Sequence, residues 1–342
     1  MNKINPAMIL RRIVAIPVAI FVIASLAFLL MRATGGNAAS ALAGEYADDE
    51  SIAAIRAELG LDRPLGEQYI DFIVRLAQGD LGISYYSNTP VVDEIMRRLP
   101  LDLFIGVLAM VIAVGLGVLM GALAAYTRDR LPDGIVRVII SALQSIPEYV
   151  FALASIFVFF FLLQWVPAPT GQLPTTVLPP VPVTNVAVID AMIAGDWRLV
   201  GMAAHQMLLP VLSMGIVLSA AFAKVVRTGF VTTLASPQSE YSSAMGISPL
   251  RRLRAIYRMS QTVVFTTIAI LVGAVLGGGA INQKIFALDG AAAYSVDAIF
   301  RVDLPAIQGI VIIFGSLAVV AFLVIDIVTL LTDARVRNGE RK

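Results

Sequence analysis

The sequence predicts an all-α membrane protein with six transmembrane helices, and three observations carry that prediction. Of 342 residues, 58% are hydrophobic and 14% charged, a composition too apolar for a soluble domain of this length. The apolar residues gather into six runs, 13–31, 103–127, 138–166, 207–223, 259–283 and 304–325, close to the ~20 residues that cross a bilayer. The basic residues collect on alternate connecting segments. Backbone groups in hydrocarbon must satisfy one another, so the runs are helices. A barrel would instead show short strands of alternating polarity.

In chain order, the first run follows Arg11 and Arg12. It is longer than the core of a secretory signal and no convincing cleavage site closes it, so 1–31 is expected to be a tail and a retained helix. The segment 32–102 is an external loop with its own helices. Asp48 is placed to cap one, in which Ile52, Ile55 and Leu59 share a face and Gly60 ends it. Pro64 opens a second, with Tyr69, Ile70, Ile73, Val74 and Leu76 apolar and Gly79 closing it. Two readings of these amphipathic helices stand: their apolar faces pack on the bundle, or the loop also docks an external protein. The segment 166–205 holds Pro167, Pro169, Pro174, Pro179, Pro180 and Pro182, a density that favours extended chain. Trp165 and Trp197 flank it as interfacial anchors. The segment 284–303 is shorter, with a turn expected at Gly290. Residues 103–332 form a five-helix core, and 333–342 a charged tail.

Lysine and arginine set the orientation. With both termini cytoplasmic, the inner segments hold 16 of the 25 basic residues, among them Arg251, Arg252, Arg254 and Arg258. The first outer loop, 32–102, alone holds 12 of the 24 acidic ones. The reverse topology would put the 251–258 cluster outside, against the rule.

Several chemistries are excluded or disfavoured. There is no Cys and one His, so no disulfide, no thiolate chemistry and no metal site of the usual kind is expected. His205 is read as an interfacial or packing residue, and Lys284 and Arg301 as snorkelling or ion-paired. No G-x-x-x-x-G-K-[ST] run occurs, so the chain carries no recognisable ATP site. A membrane enzyme would need convergent catalytic groups, which this residue set does not supply. No bound cofactor and no nucleic-acid partner are expected.

Glu148 is the one charge within the six runs. It sits well inside the third, after Pro147, where an ionisable group is costly and faces a cavity or a partner. It is therefore either a pathway carboxylate for a cationic group or a structural pair within the bundle. Glycines recur in the second run (Gly106, Gly115, Gly117, Gly121) and the fifth (Gly273, Gly277, Gly278, Gly279), as close helix approach in lipid requires. The triplet Gly277, Gly278, Gly279 also softens its helix and is a candidate gating hinge.

The inner loop 224–258 carries the most specific signal. Glu240, Tyr241, Ser242, Ser243, Ala244, Met245 and Gly246 read E-x-x-x-x-x-G with small residues between. A short helix presenting Tyr241, Ala244 and Met245 would fit a groove on another protein, Gly246 would turn the chain, and Ser248-Pro249 would start a second short helix. Glu240 suits a basic partner or helix amides. Arg251, Arg252 and Arg254 suit acids on a partner or anionic lipid heads.

This loop resembles the EAA-type coupling loop of ABC importer permeases. Over nearly its whole length the chain is similar to the first permease subunit of dipeptide/oligopeptide (peptide/nickel) ABC importers. Leu59 to Leu65 with Gln68-Tyr69, Gly79 to Ser84, Arg98-Leu99-Pro100, Ile146-Pro147-Glu148-Tyr149, Trp165-Val166-Pro167, Leu209-Pro210, Arg227, and Asp303-Leu304-Pro305 with Gly309 carry the likeness in order and spacing. It departs at Tyr241 and Ser242, at 255–262, at Asp289-Gly290-Ala291-Ala292, at Ala334, and at Gln283, where the family leads one to expect an acid. The resemblance implies a type I ABC importer permease fold in the cell inner membrane. It implies a second, homologous permease, two ABC ATPase domains holding ATP and magnesium, and an extracytoplasmic binding protein. Peptides are the cargo it favours, with nickel complexes, sugars, opines and haem open. The alternative from another class is a stand-alone secondary transporter or channel. Against that alternative stand the single buried acid, the lack of an inverted repeat, and the 240–246 loop.

Overall fold

The computed structural model describes residues 6–34, 39–40, 48–58 and 60–332. Among these the chain is helical, with no strand beyond an isolated bridge between Ile83 and Pro90. The helices are α1 (Pro6–Thr34), α2 (Asp49–Glu58), α3 (Leu65–Ala77), α4 (Val91–Tyr126), α5 (Leu131–Ser145), α6 (Glu148–Ser155), α7 (Ala187–Ile193), α8 (Trp197–Leu234), α9 (Pro237–Ala244), α10 (Pro249–Ile285), α11 (Ala291–Phe300) and α12 (Leu304–Thr332). Four helices are long and apolar enough to cross a membrane alone, and the number rises to six if two bent pairs each count as a span.

The bent pairs correct the expectation of six simple helices. The third run is not one helix: α5 and the segment Glu148–Leu162 meet at 102°. Ile146 is extended (φ −95°, ψ 123°) and Pro147 precedes the new helix. A residue before proline is driven out of the helical region, and proline itself lacks the N–H of the ladder. Beyond Ser155 the chain continues in π turns over Ile156–Leu162. The axis of α10 also turns, by 53°, between Val264–Val275 and Gly279–Ile285. The other spans run longer than their apolar runs, because helix continues past the bilayer's width: α4 starts at Val91 and α8 covers Trp197–Leu234.

The centre of the bundle is the α4–α8 pair. A Cβ at Gly121 would lie 2.7 Å from the Ala223 carbonyl oxygen, and one at Gly215 would lie 3.0 Å from that of Ala109. Only glycine admits these approaches, so Gly121 serves packing, as does Gly117 against Phe222. Around this seam Leu101, Ile105, Met207 and Met214 form one buried cluster, and Phe222, Val226 and Phe230 another.

The 48–79 segment packs on the outer layer. Asp48 Oδ1 accepts the Ser51 N–H (3.0 Å) and caps α2. These bonds to Ser51 hold its carboxyl below the usual range. Gly60 (φ +64°) ends α2 and Gly79 (φ +81°) ends α3, each with the next N–H reaching back five residues. Leu59 lies outside the described residues. On α3, Tyr69, Phe72, Ile73 and Leu76 cover Ala24, Ala27 and Phe28 of α1 and Ile312 of α12. Packing on the bundle therefore describes this face, whereas Leu65, Ile70 and Val74 are exposed on the other.

Gly290, the site of the expected turn, lies in the short connection between α10 and α11, and the unforeseen element is the helix α11 that follows it. Gly290 is extended (φ −83°, ψ 171°) and precedes its first residue. The short apolar stretch Ala291–Phe300 gave too little length to separate helix from loop in the sequence.

Candidate functional site

Two places bring functional side chains together. The first is the connection between α8 and α10. Glu240, Tyr241, Ser242 and Ala244 lie on α9, an eight-residue helix, and Met245 follows it. Tyr241, Met245 and Ile247 are 67%, 63% and 41% exposed, a cluster of large apolar groups left uncovered. Gly246 takes φ +69°. The Met245 N–H donates to the Tyr241 carbonyl (3.0 Å) and the Ile247 N–H to that of Ser242 (3.2 Å). This is the left-handed helix stop that glycine permits. Ser248 precedes α10 and Pro249 begins it. The expected second short helix is instead the first turns of a 37-residue helix running to Ile285. No breaker residue separates the two parts, so the helix propagates.

Behind this connection lies an ion pair that sequence reasoning missed. Asp133 of α5, fully buried, accepts Nε and Nη2 of Arg227 from α8, both at 2.8 Å. Arg137 approaches at 3.6 Å and the Asp129 N–H adds a bond of 3.2 Å. The two-pronged geometry fixes α5 to α8 beside the turn into α9.

The second place is a polar layer where the two bent helices meet, some 34 residues along α10 from Pro249, about 50 Å of helix. Glu148, half-buried in the first turn after the 102° break, accepts the Asn282 Nδ2 at 3.0 Å. Asn282 follows the bend of α10. Its neighbour Gln283 donates to Asp102 of α4, and Gln283 Oε1 accepts the Ala293 N–H (3.1 Å). Asp102 also accepts the N–H groups of Ala291 (2.6 Å) and Ala292 (3.3 Å). A carboxylate and an amide from two spans thus cap α11. A side chain at Gly290 would meet Asp102 Oδ1 at 2.7 Å, which explains glycine there.

The structure thus brings Glu148 next to Asn282, and places Gly279 in the wall of the adjoining cavity with Asp102, Asn282 and Gln283. The 53° turn of α10 falls across Gly277 and Gly278. Sequence reasoning missed Asp102, Asn282 and the capping role of Gln283. The available signal was an apolar run ending in two adjacent amides, and an aspartate one residue before the second run. His205 bonds the Trp165 carbonyl (3.0 Å), and no cluster able to hold a metal exists among the described residues. Lys284 pairs with Asp297 (2.6 Å), and Arg301 lies over the Tyr86 ring (3.3 Å).

The family model described as "Binding-protein-dependent transport system inner membrane component" matches residues 117–338. The model of its N-terminal part matches 7–106. The chain is 29% identical over 314 residues to the probable D,D-dipeptide transport system permease protein of Escherichia coli (strain K12), covering 91% of this chain and 92% of that one. It is 29% identical over 320 residues to the glutathione transport system permease protein of Escherichia coli O6:H1, with 93% and 95% covered. The same identity and coverage hold for the di/tripeptide transport system permease protein of Pseudomonas aeruginosa.

Proposed function

Because this chain belongs to the family of binding-protein-dependent transport system inner membrane components, we propose that it is one permease subunit of an ATP-driven importer of di- or oligopeptides. The family match over most of the chain carries the reading, and the relatives, permeases for dipeptides and glutathione, favour the cargo. The chain would cross the inner membrane six times with both termini cytoplasmic and supply half of the pathway. A second permease would supply the other half. Two ABC ATPase domains would hold ATP and magnesium, and a binding protein would deliver cargo from outside.

In this reading α9 is the coupling element. Tyr241, Ala244 and Met245 enter a groove of the ATPase, Glu240 meets its polar rim, and Gly246 with Ser248 and Pro249 sets the angle into α10. ATP-driven movement of α9 passes into α8 and α10, which frame it. The exposed apolar cluster on α9 supports this, since such patches mark interaction surfaces. At the polar layer, Glu148 lines the pathway and Gly277, Gly278 and Gly279 act as the gate's hinge.

The test is Gly246→Asp in the native system. Membrane insertion should be normal and cargo uptake lost, because aspartate adds charge and left-handed strain at the contact. Normal uptake by this variant would refute the coupling role. Gentle purification followed by mass spectrometry should recover a P-loop ATPase and a second permease. Recovery of the chain alone, where other membrane complexes survive, would favour a stand-alone transporter.

A further inference from the structure

Asn282 is 4% exposed, and its Oδ1 has no hydrogen-bond partner among the described residues. Its orientation is not free. With Glu148 ionised, its carboxylate accepts only, and the amide NH2 faces it, at 3.0 Å. That leaves Oδ1 for the small cavity that Asn282 lines with Asp102, Met214, Gly279 and Gln283. The cavity has about 10 Å³, the room that one water-sized group needs. Leaving a buried acceptor without a donor is costly, so this site is built to receive a donor. Its polar character has one sign. Asp102 lines it, Glu148 lies one amide away, and the Gln283 NH2 is already spent on Asp102. Acceptors dominate, and no idle donor is present to hold an anion.

We infer that Asn282, with Asp102 and Glu148 on either side, forms a binding point for a monovalent ammonium-type cation. That chemistry is presented by a free cation in solution or by the charged amine of a cargo molecule. The cargo version rests on the importer reading above. Asn282 then becomes a specificity-determining residue, placed where the two bent helices touch and therefore sensitive to gating.

The experiment uses the complex as purified from its membrane, or the chain alone if no ATPase accompanies it. Thermal unfolding is followed in ammonium chloride, potassium chloride and tetramethylammonium chloride at equal ionic strength. Ammonium should raise the midpoint above the tetramethylammonium value, and potassium, similar in size but without hydrogens to donate, should raise it less. Asn282→Leu and the near-isosteric Glu148→Gln should each abolish the ammonium increment. Glu148→Gln keeps the test decisive if Asn282→Leu does not fold. No difference among the three salts, or an increment that survives both substitutions, overturns the proposal. An equal response to potassium overturns the ammonium assignment in favour of a general cation site. In proteoliposomes importing a peptide, ammonium should slow uptake relative to potassium if the cargo amine uses the same point. Ammonium binding without such competition assigns the point to the free cation. Absence of a co-purifying ATPase would count against the importer reading and leave the salt comparison intact.

Discussion

At the end of the bundle formed by 80–90, 166–196 and 286–303, three buried aspartates are each shared between a helix and a neighbouring segment. Asp102 ties α4 to α11, Asp190 of α7 takes the N–H and hydroxyl of Thr184 (2.7 Å each), and Asp303 takes the Tyr85 N–H (3.1 Å) and the Ser84 hydroxyl. At the end bearing α9, Asp133 does comparable work alone among the described residues, and beyond it the chain presents Tyr241, Met245 and Ile247 bare. One end is a finished interior, and the other leaves large apolar side chains uncovered. Stability should therefore be concentrated at the first end and partner dependence at the second.

The largest stability effect should come from Asp102→Ala. It strands the amide groups of Ala291 and Ala292 and the Gln283 NH2, at a cost of about 3–5 kcal/mol, read as a lowered unfolding midpoint of the purified protein in detergent. Asp133→Ala should cost about 2–3 kcal/mol, the value of a charged hydrogen-bonded pair, since Arg227 keeps some access to solvent to relieve it. A loss as large as that of Asp102→Ala would erase the contrast between the ends. Val302 sharpens it from the other side. This branched residue holds φ +55° where α11 stops, a left-handed conformation that costs about 1–2 kcal/mol. Val302→Gly should raise stability by about 0.5–1 kcal/mol after the added chain entropy of glycine. The smallest stability change belongs to Tyr241→Ala, within about 0.5 kcal/mol as for an exposed side chain. The same substitution should cut recovery of the ATPase on purification, and unchanged recovery would place the contact elsewhere.

The four long spans, the two capped helices of 48–79 and the glycine stop at 246 were legible because each depends on local chemistry: apolar length, a capping aspartate, a residue that tolerates positive φ. The break at Ile146-Pro147 was written in the sequence too, but unbroken apolarity across 138–166 masked it, since hydropathy measures solvent preference and not axis direction. The polar layer was not legible. Asp102 and Gln283 are 181 positions apart, and neither belongs to a motif until the helices are packed. Glu148 was visible as an acid among apolar residues, whereas its partner Asn282 was not, because a neutral amide near a span's end is unremarkable. Arg227 stood out at the end of a span, whereas nothing in the sequence singled out Asp133, because the pairing of α5 with α8 is a property of the packed bundle.

Asp102 and Gln283 together have a consequence for how relatives are compared. The family resemblance leads one to expect an acid at 283, and here an amide stands there while the acid faces it from α4. In this chain the start of α11 is met by one carboxylate from α4 and one amide from α10. An acid at 283 would stand directly against Asp102, so the two positions should change together across relatives, and independent variation in an alignment would refute the shared role.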